Sequence, residues 1–440
     1  MATAVSSPIG SPLRNLLRFR RDPLAFFDEI APLGDAVQYR MGPRRLTFLN
    51  NPEYIKDLLI TSNRKFIKSM VLQRAKRVLG EGLLTSEGES HLRQRRLAQP
   101  AFHRDRIAGY AVMMAREAED MARTWQAGTI VDIHQEMMRL TLVIAGKTLF
   151  GADVQKDAEE VGKALADFME MFGFIFLPFS RYLERLPIPP MSKVRKARAT
   201  LDTIIYRLIH QRRESGEDKA DLLSMLMSAT DVEGDKSRMT DQQLRDECVT
   251  IFLAGHETTA NALTYAWILL SQNPEAEARL AEEIAALSDR ELTIDDVPRL
   301  KYTYGVFAEA MRLYPPAWGL GREALEDHTF GNAKVAKGDI VLCSQWVAHR
   351  DARYWESPNE FRPERWLTED KTRPRFAYFP FGAGPRQCIG ESFAWTEGVL
   401  LLATLARRFR LMLRPAYELR LRAAITLRPK DAVPMQLLTR

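Results

Sequence analysis

The stretch "TDQQLRDECVTIFLAGHETTANALTYAWILLSQNP" (240–274) constrains the fold of this chain more than any other. Thr240 followed by Gln243 makes a capping box, and Asn273-Pro274 supplies a stop. The spacing predicts one uninterrupted helix of about thirty residues, about 45–50 Å long. Its flanks, "VTIFLA" and "ALTYAWILL", are apolar nearly all round, so the helix belongs at the centre of a large core. The chain has the material for such a core, with 440 residues of which 46% are hydrophobic.

The middle of this helix breaks the pattern. "GHETT" puts a glycine, a carboxylate and two hydroxyls where the flanks demand apolar residues. Glycine in a helix interior costs about 1 kcal/mol, and a buried carboxylate needs partners. A satisfied core network explains an isolated Glu-Thr-Thr. The coincidence of glycine and an acid–alcohol pair is how local rules fail at functional sites. Glu257 and Thr258 are therefore candidate proton carriers, beside a cavity opened by Ala254 and Gly255.

A second anomaly is "FPFGAGPRQCIG" (379–390), which holds one of only three cysteines. Gly382, Gly384 and Gly390 allow a tight bend, Pro385 stiffens it, and a helix of about 389–409 follows. Cys388 would then sit where helix N–H groups stabilise a thiolate, with Arg386 at hand for an anion. The cysteines are too few and too scattered for disulfides or a zinc site, so the chain reads as cytoplasmic. Taken alone, a cysteine in a glycine-rich loop is structural. The whole pattern F-x-x-G-x-R-x-C-x-G, from Phe381 to Gly390, is far more specific.

The rest of the chain supports a helix-rich body. Residues 36–50 read as a hairpin around Gly42-Pro43, 53–310 as mainly helical, and 320–346 as strand-like. An aperiodic, proline-rich segment (353–388) follows, and "FRLML" and "AITLR" close the chain as short strands. The expected class is mainly α with a smaller β portion. No apolar run approaches the eighteen or so residues of a membrane span. A net charge of +6 is mild, and no basic tract interleaved with aromatics calls for nucleic acid.

The loop 381–390 resembles the cysteine-ligand loop of the cytochrome P-450 haem-thiolate monooxygenases. "AGHETT" (254–259) is similar to that family's oxygen-activation stretch, "EAMR" (309–312) to its E-x-x-R motif, and "FRPERW" (361–366) to the segment completing that cluster. "HLRQR" (91–95) resembles the propionate-binding helix, and Arg322 in "GLGREALED" another propionate-binding arginine. The matches run in family order from about 36 to 410.

The resemblance implies the P-450 fold as one domain over 1–440, with haem b between the long central helix and the helix after the cysteine loop. It implies Cys388 as the axial iron ligand and Phe381, His91, Arg95, Arg322 and Arg386 around the haem. Glu309, Arg312 and Arg365 form a buried ion network behind it. Glu257 and Thr258 guide protons, and Leu84, Ala254 and Ala317 shape the substrate pocket. The implied reaction inserts one atom of O2 into a largely apolar substrate, a fatty acid, terpenoid or similar. The helix patterns look closer to members acting on long apolar molecules than to those specific for compact terpenes. Electrons would come from a ferredoxin or flavodoxin with its NAD(P)H reductase.

Three further expectations concern surfaces: Arg93 and Arg96 as a docking site for that donor, Arg44 or Arg45 at a channel mouth, and "FMEMFGFIFLPF" (168–179) as a lid. Other readings are a peroxide-driven haem hydroxylase, a haem-binding sensor, and a nucleotide site at "GLGREA" (319–324). The last lacks the preceding strand that a dinucleotide fingerprint needs.

Overall fold

A computed structural model describes residues 4–5, 10–151, 160, 162, 164, 189–219, 221–231, 234, 237–287 and 289–440. The lid expected at 168–179 lies outside them. The chain is mainly helical with a smaller β portion, as its periodicity requires. Two compact units emerge, each assembled from separate stretches of chain.

The first unit comprises Met1–Met70, Gly305–Cys388 and Leu421–Arg428. Its centre is a mixed sheet. Strands Ala36–Met41 and Arg44–Leu49 form the expected hairpin, with Gly42 in the left-handed region at φ +56°. Leu46 to Leu49 then pair in parallel with Ile340 to Cys343, which pair antiparallel with Leu320–Ala324. The outer strand, Phe66–Lys68, runs antiparallel to Leu320–Ala324, with Lys68 opposite Arg322. One apolar cluster gathers Phe26, Phe27 and Ile30 against Val37, Tyr39, Leu46 and Phe48. Another gathers Phe66, Phe330, Val341, Cys343, Phe376 and Phe379.

The second unit, Val71–Tyr304, Ile389–Arg420 and Pro429–Arg440, is built on the predicted long helix. It runs Asp241–Gln272, 32 residues, and its capping box at Thr240 and Gln243 is present in both directions. The Ile133–Phe150 helix packs along it, and helix Glu391–Arg408 packs against Arg104–Thr124. A three-stranded sheet places Pro434–Thr439 between Phe409–Leu413 and Ile130–Asp132. Two strands fall inside the stretch read from sequence as helical, Phe66–Lys68 and Ile130–Asp132. Each is only three residues long and pairs with chain hundreds of positions away, so neither leaves a local period to read. "AITLR" is strand only from Leu427, in the segment Leu427–Pro429.

Candidate functional site

In the first unit, the cysteine loop is held by main-chain bonds. The Cys388 N–H donates to Phe381 O (2.9 Å), Gln387 N–H to Gly384 O (3.0 Å) and Gly382 N–H to Phe379 O (3.0 Å). Gly382 and Gly384 stand at φ +68° and +70°. A Cβ on Gly384 would also come within 2.2 Å of Leu59 O, so both backbone and space demand glycine there. The loop is moored at its start by Phe379 N–H, which donates to His349 Nε2 (3.0 Å). Burial, together with Arg312 and Arg350 nearby, keeps the His349 pKa well below its ordinary value, so the ring stays a neutral acceptor.

The three thiols differ sharply. Cys248 and Cys343 are buried, and burial pushes both pKa values up, that of Cys343 to about 12. Only Cys388 is exposed. An accessible sulfur, a soft ligand, is thus on offer at only one of the three positions.

Two arginines converge on the outer strand of the same unit. Arg386 Nη1 donates to Phe66 O (3.1 Å), and the largely buried Arg322 sits in register with Lys68. Phe381 and Ala317 are half-buried. The E-x-x-R motif lies in the same unit and is a closed ion network. Arg312 Nε and Nη2 donate to the two oxygens of Glu309, each at 2.8 Å. Arg365 Nε (3.1 Å), Trp366 Nε1 (2.9 Å) and Arg362 N–H (3.1 Å) complete the shell of Glu309. The remaining donors of Arg312 reach His349 O (2.9 Å), Pro358 O (2.6 Å) and Glu360 O (2.9 Å). Every bond of this cluster ends on protein, which is architecture rather than chemistry.

In the second unit, the middle of the long helix opens on one side. Ala254 is exposed and Thr258 half-exposed, and a Cβ on Gly255 would meet no heavy atom within 4 Å. Thr258 Oγ1 donates to Ala254 O at 2.7 Å, leaving its oxygen lone pairs as acceptors. Glu257 is buried. His256 points the other way: its Nδ1–H bonds Phe252 O (3.2 Å), and burial lowers its pKa to about 4.

Leu84 is half-buried in a segment seated on the first turns of the same helix. Asp246 accepts the Glu81 N–H (2.9 Å), Glu247 accepts the Leu83 N–H (3.1 Å), and Arg245 Nη1 donates to Leu79 O (3.2 Å). The approach is so close that a Cβ on Gly80 would lie 2.1 Å from the Asp246 carboxyl. Gln94 Nε2, on helix Gly88–Ala98, donates to Glu81 O (2.6 Å) and fixes that helix as well. On it, His91 is buried and Arg95 half-buried. These carboxylates near the start of the long helix escaped the sequence reading, because charges in a first turn ordinarily face water.

Two surface expectations are corrected. Arg96 makes a bidentate pair with Asp231 (3.1 and 3.0 Å), and Arg93 joins it at 3.6 Å while bonding Ser237 Oγ (2.6 Å). The Asp231 side chain is only 2% exposed, so two guanidiniums are consumed in compensating it and are not a docking face. Arg45 is likewise spent, with Nε on Asp339 Oδ2 at 2.7 Å and Nη2 on Lys334 O at 3.3 Å. Arg44 turns its guanidinium to Met70 Sδ (3.6 Å).

One carboxyl near the Glu-Thr stretch went unnoticed in the sequence. Glu397 is buried on the helix Glu391–Arg408 and hydrogen-bonds the hydroxyl of Thr259, the neighbour of Thr258. Its Oε2 has no partner among the described residues. Burial pushes its pKa from 4.5 to about 8, only partly opposed by Thr259, so it is an acid at neutral pH. Below about 4.5 both folded and unfolded chains carry the proton. Above that, the unfolded chain ionises first, and stability falls as pH rises until about 8. Glu397→Gln is expected to flatten that fall, leaving the variant relatively more stable at pH 8 than at pH 5. Thermal midpoints of both proteins across that window check it; parallel curves would show the carboxyl already ionised. An acid at the seventh position of an apolar helix, in "ESFAWTEGVLLLATLA", was the available signal.

The cytochrome P450 family model matches residues 13–431. The chain is 39% identical over 96% of its length to the cyclooctatin synthase of Streptomyces melanosporofaciens, covering 93% of that protein. It is 35% identical over 91% of its length to the pentalenene oxygenase of Streptomyces avermitilis, covering 89% of it. Among solved structures, a retinoic acid-bound cyanobacterial CYP120A1 superposes with a TM-score of 0.88 at 25% identity, covering all of this chain and 99% of that one.

Proposed function

The chain belongs to the cytochrome P450 family, and from that premise we propose that Cys388 would hold the iron of haem b through its sulfur and that the substrate is a cyclic terpenoid. The family makes it a haem-thiolate monooxygenase, inserting one atom of O2 into a largely apolar substrate. The residues present fit the group. A single exposed thiol sits on a glycine-bent loop, a soft donor suited to iron. Arg386 and Arg322 supply cations for the propionates and Phe381 an apolar edge, and the resemblance of 91–95 to the propionate-binding helix adds His91 and Arg95 as candidates. The sequence has no C-x-x-C-H for covalent attachment, which favours haem b. When bound, the haem supplies O2 activation and oxygen transfer.

The chain's own residues handle binding and protons. Thr258, its hydrogen committed to Ala254 O, keeps an acceptor oxygen on the open side of the helix. Glu257 adds a carboxyl one position earlier, and Ala254 and Leu84 offer small or apolar surface; Ala317 is a separate pocket candidate that the resemblance implies. Thr258→Ala is expected to raise hydrogen peroxide release several-fold per NAD(P)H consumed, with product falling in step. Unchanged coupling would remove Thr258 from the relay.

The terpenoid assignment rests on the named relatives and departs from the long-chain substrates suggested by helix pattern. We assign electron supply to a ferredoxin or flavodoxin with its reductase, a donor of the kind that haem oxygen activation requires. The family match runs through both units, which supports one catalytic domain over 1–440. Buried thiols at Cys248 and Cys343 suit the reducing cytoplasm, and among the described residues no helix is long and apolar enough to cross a membrane.

The observation that carries this reading is the lone exposed thiol in its left-handed glycine loop. Titration of the holoenzyme with cyclic terpene hydrocarbons and, in parallel, fatty acids tests it. The low-spin to high-spin Soret shift is expected with the former at micromolar levels. A shift with fatty acids alone would reject the terpenoid substrate.

A further inference from the structure

The two most exposed large apolar side chains among the described residues are Leu13 (64%) and Leu17 (58%). Both lie on the helix Pro12–Arg21, "PLRNLLRFRR", capped by Ser11, whose hydroxyl accepts the Arg14 N–H. A surface helix normally buries its leucines. Here the buried residue is Asn15, whose side-chain amide donates to Arg40 O (2.9 Å), and Phe19 faces the Phe26 and Phe27 rings. The helix is thus docked by an amide and a ring, and its leucines face outward.

The outward face is also basic. At about 100° per residue, Leu13 and Leu17 sit about 40° apart, with Arg20 on one flank and Arg21 and Arg14 on the other. All three arginines are exposed, and none makes an ion pair with a described residue. Arg18 is different: it pairs with Glu29 and lies over the Phe26 ring (5.8 Å). The helix has no acidic residue. On the adjoining hairpin, Arg40 and Arg44 are exposed too.

We propose that this helix docks the protein onto an anionic lipid surface, lying flat with Leu13 and Leu17 in the acyl boundary and Arg14, Arg20 and Arg21 on the headgroups. Two leucines one turn apart, ringed by unpaired guanidiniums, match the layering of such a surface: apolar inside, negative at its rim. An acidic protein would satisfy the arginines but not the outward leucines. A second copy of the helix would bring like charges together. The attachment is peripheral and reversible, since two leucines bury little area and salt screens the arginines. An enzyme held there meets apolar molecules dissolved in the bilayer, a consequence that rests on the reaction proposed above, whereas the docking does not.

The test is cosedimentation of the full-length holoenzyme with vesicles of phosphatidylglycerol and phosphatidylcholine in equal parts, and with phosphatidylcholine alone. Binding to the anionic vesicles is expected at low salt, falling at least about tenfold at high salt or on pure phosphatidylcholine. Leu13→Ser/Leu17→Ser and Arg20→Glu/Arg21→Glu should each weaken it about tenfold with unchanged circular dichroism and thermal midpoint. A wild type left in the supernatant in every case overturns the proposal, as does binding that neither double variant alters. Sedimentation velocity without lipid decides the rival occupant: a dimer that Leu13→Ser/Leu17→Ser dissolves would make this face a self-association surface and overturn lipid docking.

Discussion

Replacing Glu309 by alanine is expected to leave little or no folded protein. Glu309 and Arg312 are both fully buried, and the carboxylate receives donors from Arg312, Arg365, Trp366 and the Arg362 main chain. Removing it strands a guanidinium of 0% exposure without its counter-charge. Breaking a buried pair in this way costs about 3–5 kcal/mol, against a total of about 5–15 kcal/mol for a typical domain. The loss spreads, because Arg312 also ties down His349 O, Pro358 O and Glu360 O, and His349 moors the cysteine loop at Phe379. Thermal midpoint and soluble yield measure it. The double variant Glu309→Ala/Arg312→Ala should cost less than the sum of the two single changes, because it leaves no orphaned charge. Strict additivity would mean that the two side chains act independently.

Cys388→Ser should have the opposite character, large in chemistry and small in stability. The side chain is exposed, and the loop is bent by Gly382 and Gly384 and tied by the Cys388 main-chain N–H to Phe381 O, so the loop retains its shape. A serine hydroxyl ionises far less readily than a thiol and is a harder donor. Oxygenation is expected to fall to background, and the reduced CO complex to lose its long-wavelength Soret band, with a thermal midpoint near that of the wild type in the haem-free form. Cys343→Ser is the internal control: it should keep the band while losing stability, because its hydroxyl would sit in an apolar cluster. A band that survived in Cys388→Ser would move the iron to another ligand.

These two predictions also mark how legible the chain was. The E-x-x-R spacing announced a pair, but a pair at i and i+3 is usually a solvated one worth a few tenths of a kcal/mol. Its closure by Trp366 and by the Arg362 main chain required the fold. Arg93 and Arg96 made the reverse error. Their spacing suggests an outward docking face for the electron donor, yet both are tied to Asp231, 135 residues beyond Arg96. Asp231 sits in "DVEGDKSR", a stretch whose composition says only that the chain turns. Glu397 was readable as an acid in an apolar helix, but its meeting with Thr259 was not.

The sequence by itself determined whatever is encoded within a few residues. The long helix follows from Thr240, Gln243 and an unbroken apolar run, because capping and periodicity act over one turn. The bend of the cysteine loop follows from Gly382 and Gly384, because only glycine adopts that backbone without strain. The tertiary structure alone decided which charges are buried together, which three-residue segments become strands, and that Leu13 and Leu17 face outward while Asn15 faces in. Those outcomes depend on partners tens to hundreds of residues away. Burial, which sets the worth of a charge or a leucine, is a property of the packed chain and not of any short stretch of it.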